Sequence, residues 1–259
     1  MKIVVCIKQV PDTNEIKINP ATGTLIRDGV PSIMNPDDKS GLEMALRLKQ
    51  VHGASVTVIT MGPPQADAML REALAMGADK AILLTDKRFA GADTLATSTA
   101  LAAALKKLEY DLIITGRQAI DGDTAQVGPQ VAEMLRLPQV TYVDQITWQP
   151  PTFQIRRATE DGYEHLEADA PMLISVIASA NRPRYMSVKG IVQAYNRTVQ
   201  VWSADDLEAD PTRLGLKGSP TKVKSAFAKG MKQCGQVYEV EPEEAVGIII
   251  SKLQDKFII

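Results

Sequence analysis

Along the first half of the chain, short apolar runs alternate with longer segments whose apolar positions recur every three or four residues. KIVVCI (2–7) precedes PDDKSGLEMALRLKQV (36–51), ASVTVITMG (54–62) precedes PQADAMLREALAMG (64–77), and KAILLTD (80–86) precedes DTLATSTALAAALKKL (93–108). DLIITG (111–116) then precedes a helical pattern carried by Val127, Val131, Ala132, Met134 and Leu135. Runs such as IVVCI and LIITG lack the polar alternation of a strand with one wet face, so they predict parallel strands covered by helices on both sides. The expected fold is α/β, with a doubly wound, mostly parallel sheet. Ligands of such sheets sit outside the carboxyl ends of the strands, where the strand order reverses. The loops after residues 7, 62, 86 and 116 are therefore the candidate sites.

Near residue 143 the pattern changes. VDQITWQPPTFQIRRATEDGYEHLEADAPMLISVIAS reads as consecutive strands separated by the turns QPP and EDG, which predicts a small antiparallel extension over 143–178. From 180 to about 241 the periodicity is poor, and a long irregular segment is more natural as an arm folded over a partner. EPEEAVGIIISKLQDKFII (241–259) has acids first, an apolar middle and late lysines, the order a helix dipole favours. The expected division is a nucleotide- or flavin-binding α/β domain over 1–180 and, over 181–259, a docking loop and C-terminal arm ending in a helix.

Charge and cysteines narrow the function class. Lys plus Arg number 29 against 31 Asp plus Glu, so no global field points to nucleic acid or an anionic membrane. The apolar run at the N-terminus is too short for a signal peptide, and no stretch approaches a membrane span. Cys6 and Cys234 lie far apart and suggest neither a disulfide framework nor a metal site. A cytoplasmic location is expected. His52 and His165 have no evident co-ligands, and no nucleophile, base and orienting group assemble, so any chemistry should belong to a cofactor.

The stretch GRQAIDGDTAQVGPQVAEML (116–135) follows a strand and opens a helix, whose free N–H groups and partial positive charge can hold a phosphate without a basic side chain. It lacks the Gly-Lys-Ser/Thr ending of an NTP-hydrolysing loop and the G-x-G-x-x-G spacing, which favours nucleotide binding over hydrolysis. Asp121 and Asp123 would repel a phosphate unless they cap, turn the chain or meet ribose hydroxyls. Asn35-Pro36-Asp37-Asp38 reads as an N-cap with an early proline, Met61-Gly62-Pro63 as a turn, and Cys6 as a small core residue.

The segment from Ile155 to Leu166, with Arg157, an acidic-acidic-glycine turn and Glu164, and then Pro171 before MLIS, closely resembles the signature of electron transfer flavoprotein beta subunits. VVCIKQVPD, MNP at 34–36, ALAMGAD at 73–79, GRQAID at 116–121 and PRY at 183–185 agree in the same order. The resemblance implies a sheet of the adenine nucleotide alpha hydrolase-like kind and a partner alpha subunit carrying FAD. It also implies a beta-subunit pocket holding either a structural AMP or, in the electron-bifurcating branch, a second FAD that takes hydride from NADH.

Carried over by resemblance, that pocket comprises Cys6; Asn35, Pro36, Asp37 and Asp38; Met61; and Gly116, Arg117, Gln118, Ala119, Ile120, Asp121, Gly122, Asp123, Thr124, Ala125, Gln126, Val127 and Gly128. Gly91, Ala92, Asp93 and Thr94 would line the flavin or nicotinamide side. Small residues in DGDTAQVGP leave room beyond an adenosine, and with VPDT (10–13) and GADTLATS (91–98) they resemble the bifurcating branch. FAD is thus favoured over AMP, with ferredoxin or flavodoxin and an acyl-CoA dehydrogenase as electron acceptors. Pro183, Arg184, Tyr185 and Val188 match the family's dehydrogenase-docking loop, Val188 standing where leucine is common. A nucleotide-sensing domain of the universal-stress type would share the sheet but would need neither that loop nor the signature.

Overall fold

The structure, a computed structural model, describes residues 1–12, 31–222, 224 and 235–259. Thr13 of the VPDT stretch and Cys234 lie outside the described residues. Strands β1 (Lys2–Cys6), β4 (Ser55–Met61), β5 (Lys80–Leu84) and β6 (Leu112–Gly116) are the four apolar runs. Between β1 and β4 lie β2 (Gln9–Pro11) and β3 (Ser32–Met34), a small antiparallel pair, and helix α1 (Pro36–His52). Helices α2 (Asp67–Met76), α3 (Thr94–Leu105) and α4 (Val127–Leu135) follow β4, β5 and β6. The remaining elements are β7 (Gln139–Gln149), β8 (Thr152–Ala158), β9 (Tyr163–Asp169), β10 (Met172–Val176), α5 (Val188–Tyr195), β11 (Gln200–Trp202) and α6 (Pro242–Gln254).

The nine-stranded sheet has the order β11-β5-β4-β1-β6-β10-β7-β8-β9 and is parallel from β11 through β7. Its two faces explain the unbroken apolar runs. Ile3, Val5, Leu112 and Ile114 pack with Leu42 and Leu46 of α1 and Leu70 of α2, whereas Val4, Ile113 and Ile82 pack with Leu101 and Leu105 of α3 and Val131 of α4. Neighbouring residues of one strand face opposite layers, and neither layer is wet. Each fully buried Leu or Ile contributes roughly 1.5–3 kcal/mol.

The antiparallel extension is smaller than 143–178. β7, β8 and β9 pair antiparallel, but β10 returns to lie between β6 and β7, parallel to both. All five β10 residues are buried, which requires a neighbour on each edge and a layer on each face; β9 is mostly exposed and offers neither. β7 itself starts at Gln139 and belongs to both parts.

Beyond residue 180, α5 lies against α2 and β11 extends the parallel sheet beside β5, so the segment expected as an arm also supplies an edge strand. α6 carries Glu243 and Glu244 in its first turn and Lys252 in its last, as its sequence predicts, and none of its residues is buried. No helix among the described residues is long and apolar enough to cross a membrane.

Candidate functional site

The strand order reverses at β1, with β4 on one side and β6 on the other, which opens a crevice at the carboxyl ends of β1 and β6. The first turn of α1 meets both strand ends. Asp38 accepts the Lys8 N–H at 2.7 Å and the Gly116 N–H at 2.9 Å, tying the end of β1 to the end of β6. Asp37 accepts the Ala178 N–H at 2.9 Å and the Gln118 N–H at 3.3 Å. Asn35 donates to the Gln118 carbonyl at 2.8 Å and accepts the Ile120 N–H at 3.1 Å.

These bonds correct the capping interpretation. Asn35 holds the N-cap position of α1 but makes no side-chain cap bond, because its amide is spent across the crevice. All three side chains are buried, and strand-end N–H groups buried there need acceptors. Burial pushes the Asp38 carboxyl up to about 7 against the N–H bonds from Lys8 and Gly116, which favour the anion. Asp37 has the Arg117 guanidinium 3.3 Å away, Nε to Oδ2. Gly116 is required: a Cβ there would stand 2.2 Å from Asp38 Oδ1.

The next turn resolves the aspartates of the loop. The Asp121 carboxylate pairs with Lys8 Nζ at 2.6 Å, and Asp123 accepts the Gln118 side-chain amide at 2.9 Å. Both are thereby tied within the chain. The Gly122 and Asp123 N–H groups close onto the Ala119 carbonyl. Among the described residues, no acceptor takes the N–H groups of Thr124, Ala125, Gln126, Val127 or Gly128. They cluster at the N-terminus of α4, where the helix adds positive potential, a combination that favours an anion without a cationic side chain. Asp123 (φ 48°) and Ala125 (φ 52°) adopt the left-handed conformation, uncommon for residues with a Cβ and a local cost of the loop's shape.

Thr94 reaches this loop, its hydroxyl donating to Gln126 Oε1 at 2.9 Å. Asp93 instead caps α3 by accepting the Ala96 N–H, and its other oxygen accepts from Thr221. Burial opposes its ionisation, but these bonds outweigh it and hold the carboxyl below the usual range. Gly91 and Ala92 follow β5, and Met61 ends β4; no hydrogen bond among the described residues joins any of the three to the α4 loop. The Cys6 thiol is pushed up to about 12, first by burial and then by Asp38, so it stays neutral. Lys8 and Ala178 are participants the sequence reading missed. Both simply follow strands, and only their side-by-side placement gives them a role.

The PRY segment divides between anchor and free surface. Arg184 holds the buried Glu43 carboxylate of α1 through its backbone N–H at 3.1 Å and Nε at 2.8 Å, with Arg47 on the same group. Burial raises the Glu43 pKa, yet the two arginines together keep it below the usual range. Pro183 is half-buried, whereas Tyr185 is 98% and Val188 80% exposed, continuous with Val192 and Tyr195 along α5.

Residues 22–207 match the family model described as the electron transfer flavoprotein domain. The chain is 58% identical over 259 residues, covering all of both chains, to the electron transfer flavoprotein subunit beta of Clostridium acetobutylicum. It is 52% identical over 262 residues, again over all of both chains, to the caffeyl-CoA reductase-Etf complex subunit CarD of Acetobacterium woodii. The acryloyl-CoA reductase electron transfer subunit gamma of Anaerotignum propionicum is 45% identical over 268 residues, also at full coverage of both. A reversed strand order, an N–H-lined loop at its crevice and full-length similarity converge: the chain belongs to the electron transfer flavoprotein family, among its beta subunits.

Proposed function

We propose that the chain is the beta subunit of an electron-bifurcating flavoprotein that holds FAD in the β1–β6 crevice. NADH is the donor; ferredoxin or flavodoxin is one acceptor and, through the alpha-subunit FAD, an acyl-CoA dehydrogenase is the other. Bound there, FAD would supply the exchange between hydride and single electrons, while the chain's own residues bind, orient and shield it.

The observation that carries the reading is the loop from 121 to 128. Its N–H groups, without acceptors among the described residues, suit a pyrophosphate, both aspartates are engaged by Lys8 and Gln118, and, its chain neighbours aside, no heavy atom of the described residues lies within 4 Å of where a Cβ on Gly122 would stand. Thr124 would add a hydroxyl, and residues 91–94 would face the flavin or nicotinamide side. The names of the relatives from Acetobacterium woodii and Anaerotignum propionicum place those proteins with CoA-thioester reductases, which supports a dehydrogenase partner here.

A flavin count on the purified alpha–beta complex tests the proposal: two FAD are expected, and one FAD plus AMP would overturn it. Ala125→Asn adds bulk at a left-handed position that asparagine tolerates. It should lower beta-site FAD and NADH-dependent ferredoxin reduction together. Unchanged flavin content and activity would show the ring to lie elsewhere.

A further inference from the structure

Thr115 is a residue for which the clamp and the loop have no use. It is the fourth residue of β6, 5% exposed, and its Oγ1 is buried with no hydrogen-bond partner among the described residues. Strand alternation fixes which way it faces. Leu112 and Ile114 belong to the layer under α1, and Ile113 belongs to the layer under α3 and α4. Thr115 therefore shares the α4 side with Ile113. A Cβ on Gly128, in the first turn of α4, would stand 2.7 Å from Thr115 Oγ1, so the absence of a side chain there admits the hydroxyl under the helix N-terminus. The residue in register on β10 is Ser175, also buried, placing a second hydroxyl-bearing residue at the neighbouring strand end.

A valine would fill the same volume on an otherwise aliphatic strand without an unpaired polar atom. The hydroxyl has a purpose only if something polar comes to it. The nearest part of the loop is Gly128, in the first turn of α4, whose N–H has no acceptor among the described residues, so the acceptor for the hydroxyl is an anion drawn to that turn.

We infer that the Thr115 hydroxyl is a binding group of the nucleotide site, donating to a phosphate oxygen held at the first turn of α4. The inference rests on the proposed nucleotide site but not on which nucleotide fills it. AMP and FAD both present a phosphate, and the isoalloxazine is not involved. Stability and affinity then respond in opposite directions at this residue. The unpaired hydroxyl weakens the nucleotide-free fold, and the same hydroxyl strengthens the complex.

The test uses the alpha–beta complex stripped of beta-site nucleotide, in wild-type, Thr115→Val and Thr115→Ser forms, with AMP and FAD titrated separately. Thr115→Val should melt no lower than wild type without nucleotide, yet bind weaker by roughly 10- to 100-fold, the value of one hydrogen bond to a charged group. Thr115→Ser should bind within roughly threefold of wild type, since it keeps the donor. Wild-type affinity in Thr115→Val, or weaker binding matched by a lower nucleotide-free melting temperature, would overturn the inference and leave Thr115 a packing residue. If wild type takes AMP but not FAD, the FAD proposal fails while the AMP titrations still decide the role of Thr115. If it takes neither, both fail.

Discussion

Substituting alanine for Gly116 adds one methyl group at the most crowded point of the crevice. The new Cβ would stand 2.2 Å from Asp38 Oδ1 and 2.8 Å from both Asp37 Cβ and the Asp38 backbone nitrogen. Asp38 cannot swing aside, because its other oxygen is held by the Lys8 N–H and its backbone begins α1. Either the end of β6 shifts or the Gly116 N–H bond to Asp38 is lost. Overpacking costs about 1–3 kcal/mol and losing a bond to a buried carboxylate about 1.5–3 kcal/mol, so whichever way the site yields the cost is about 1–3 kcal/mol.

For a chain of this size that lowers the melting temperature by at least about 2 °C. Gly122→Ala, in the same loop but with nothing within 4 Å, should stay within about 0.5 kcal/mol of wild type. Thermal unfolding of the two variants in the alpha–beta complex makes the comparison. A second prediction sharpens it: with Asp38→Ala, which removes the oxygen the new methyl meets, the two costs should fall short of their sum. Equal melting temperatures for the Gly116 and Gly122 variants would refute the clamp as the reason for the glycine.

Two further predictions address charge and docking. Asp38 titrates near 7 in the fold against 3.8 unfolded, so between those values the native chain holds a proton that the unfolded chain has released. Stability therefore falls as pH rises from about 4 to about 7, by an amount on the order of 4 kcal/mol, and is then level with respect to this group. Asp38→Asn should flatten that part of the profile in denaturant midpoints measured at pH 5 and pH 8, and an unchanged slope would assign the dependence to other groups. Val188 is 80% exposed, so Val188→Ala should not alter folding but should slow electron delivery to the dehydrogenase while NADH oxidation with an artificial acceptor is preserved. Equal loss in both assays would make the segment structural.

The parallel sheet was legible because strands covered on both faces cannot alternate, and IVVCI and LIITG show no alternation. Topology alone nominated four loops, of which those after residues 7 and 116 follow the two strands at the reversal of strand order. What the sequence did not reveal depends on neighbours distant along the chain. Asn35-Pro36-Asp37-Asp38 has the same local signature whether it caps α1 or staples three strand ends, and only the closeness of Lys8, Gly116, Gln118 and Ala178 decides. MLISV is equally apolar beside β9 or beside β6. The short QVW strand, with Val201 exposed at the sheet edge, carries too little pattern to be found. Thr115 escaped notice because one threonine in an apolar strand has an ordinary β-propensity explanation.

The return of β10 has a consequence for how the chain is made. β7 emerges from the ribosome roughly thirty residues before β10, which at ordinary synthesis rates is about 2–6 s. During that interval β7 can pair with β8, but the edges of β6 and β7 that will flank β10 both stand open. One strand closes both edges at once. Met172–Val176 therefore acts as a keystone in time as well as in space: the nascent sheet is two unfinished pieces before it arrives, each exposed to wrong partners, and a single sheet afterwards.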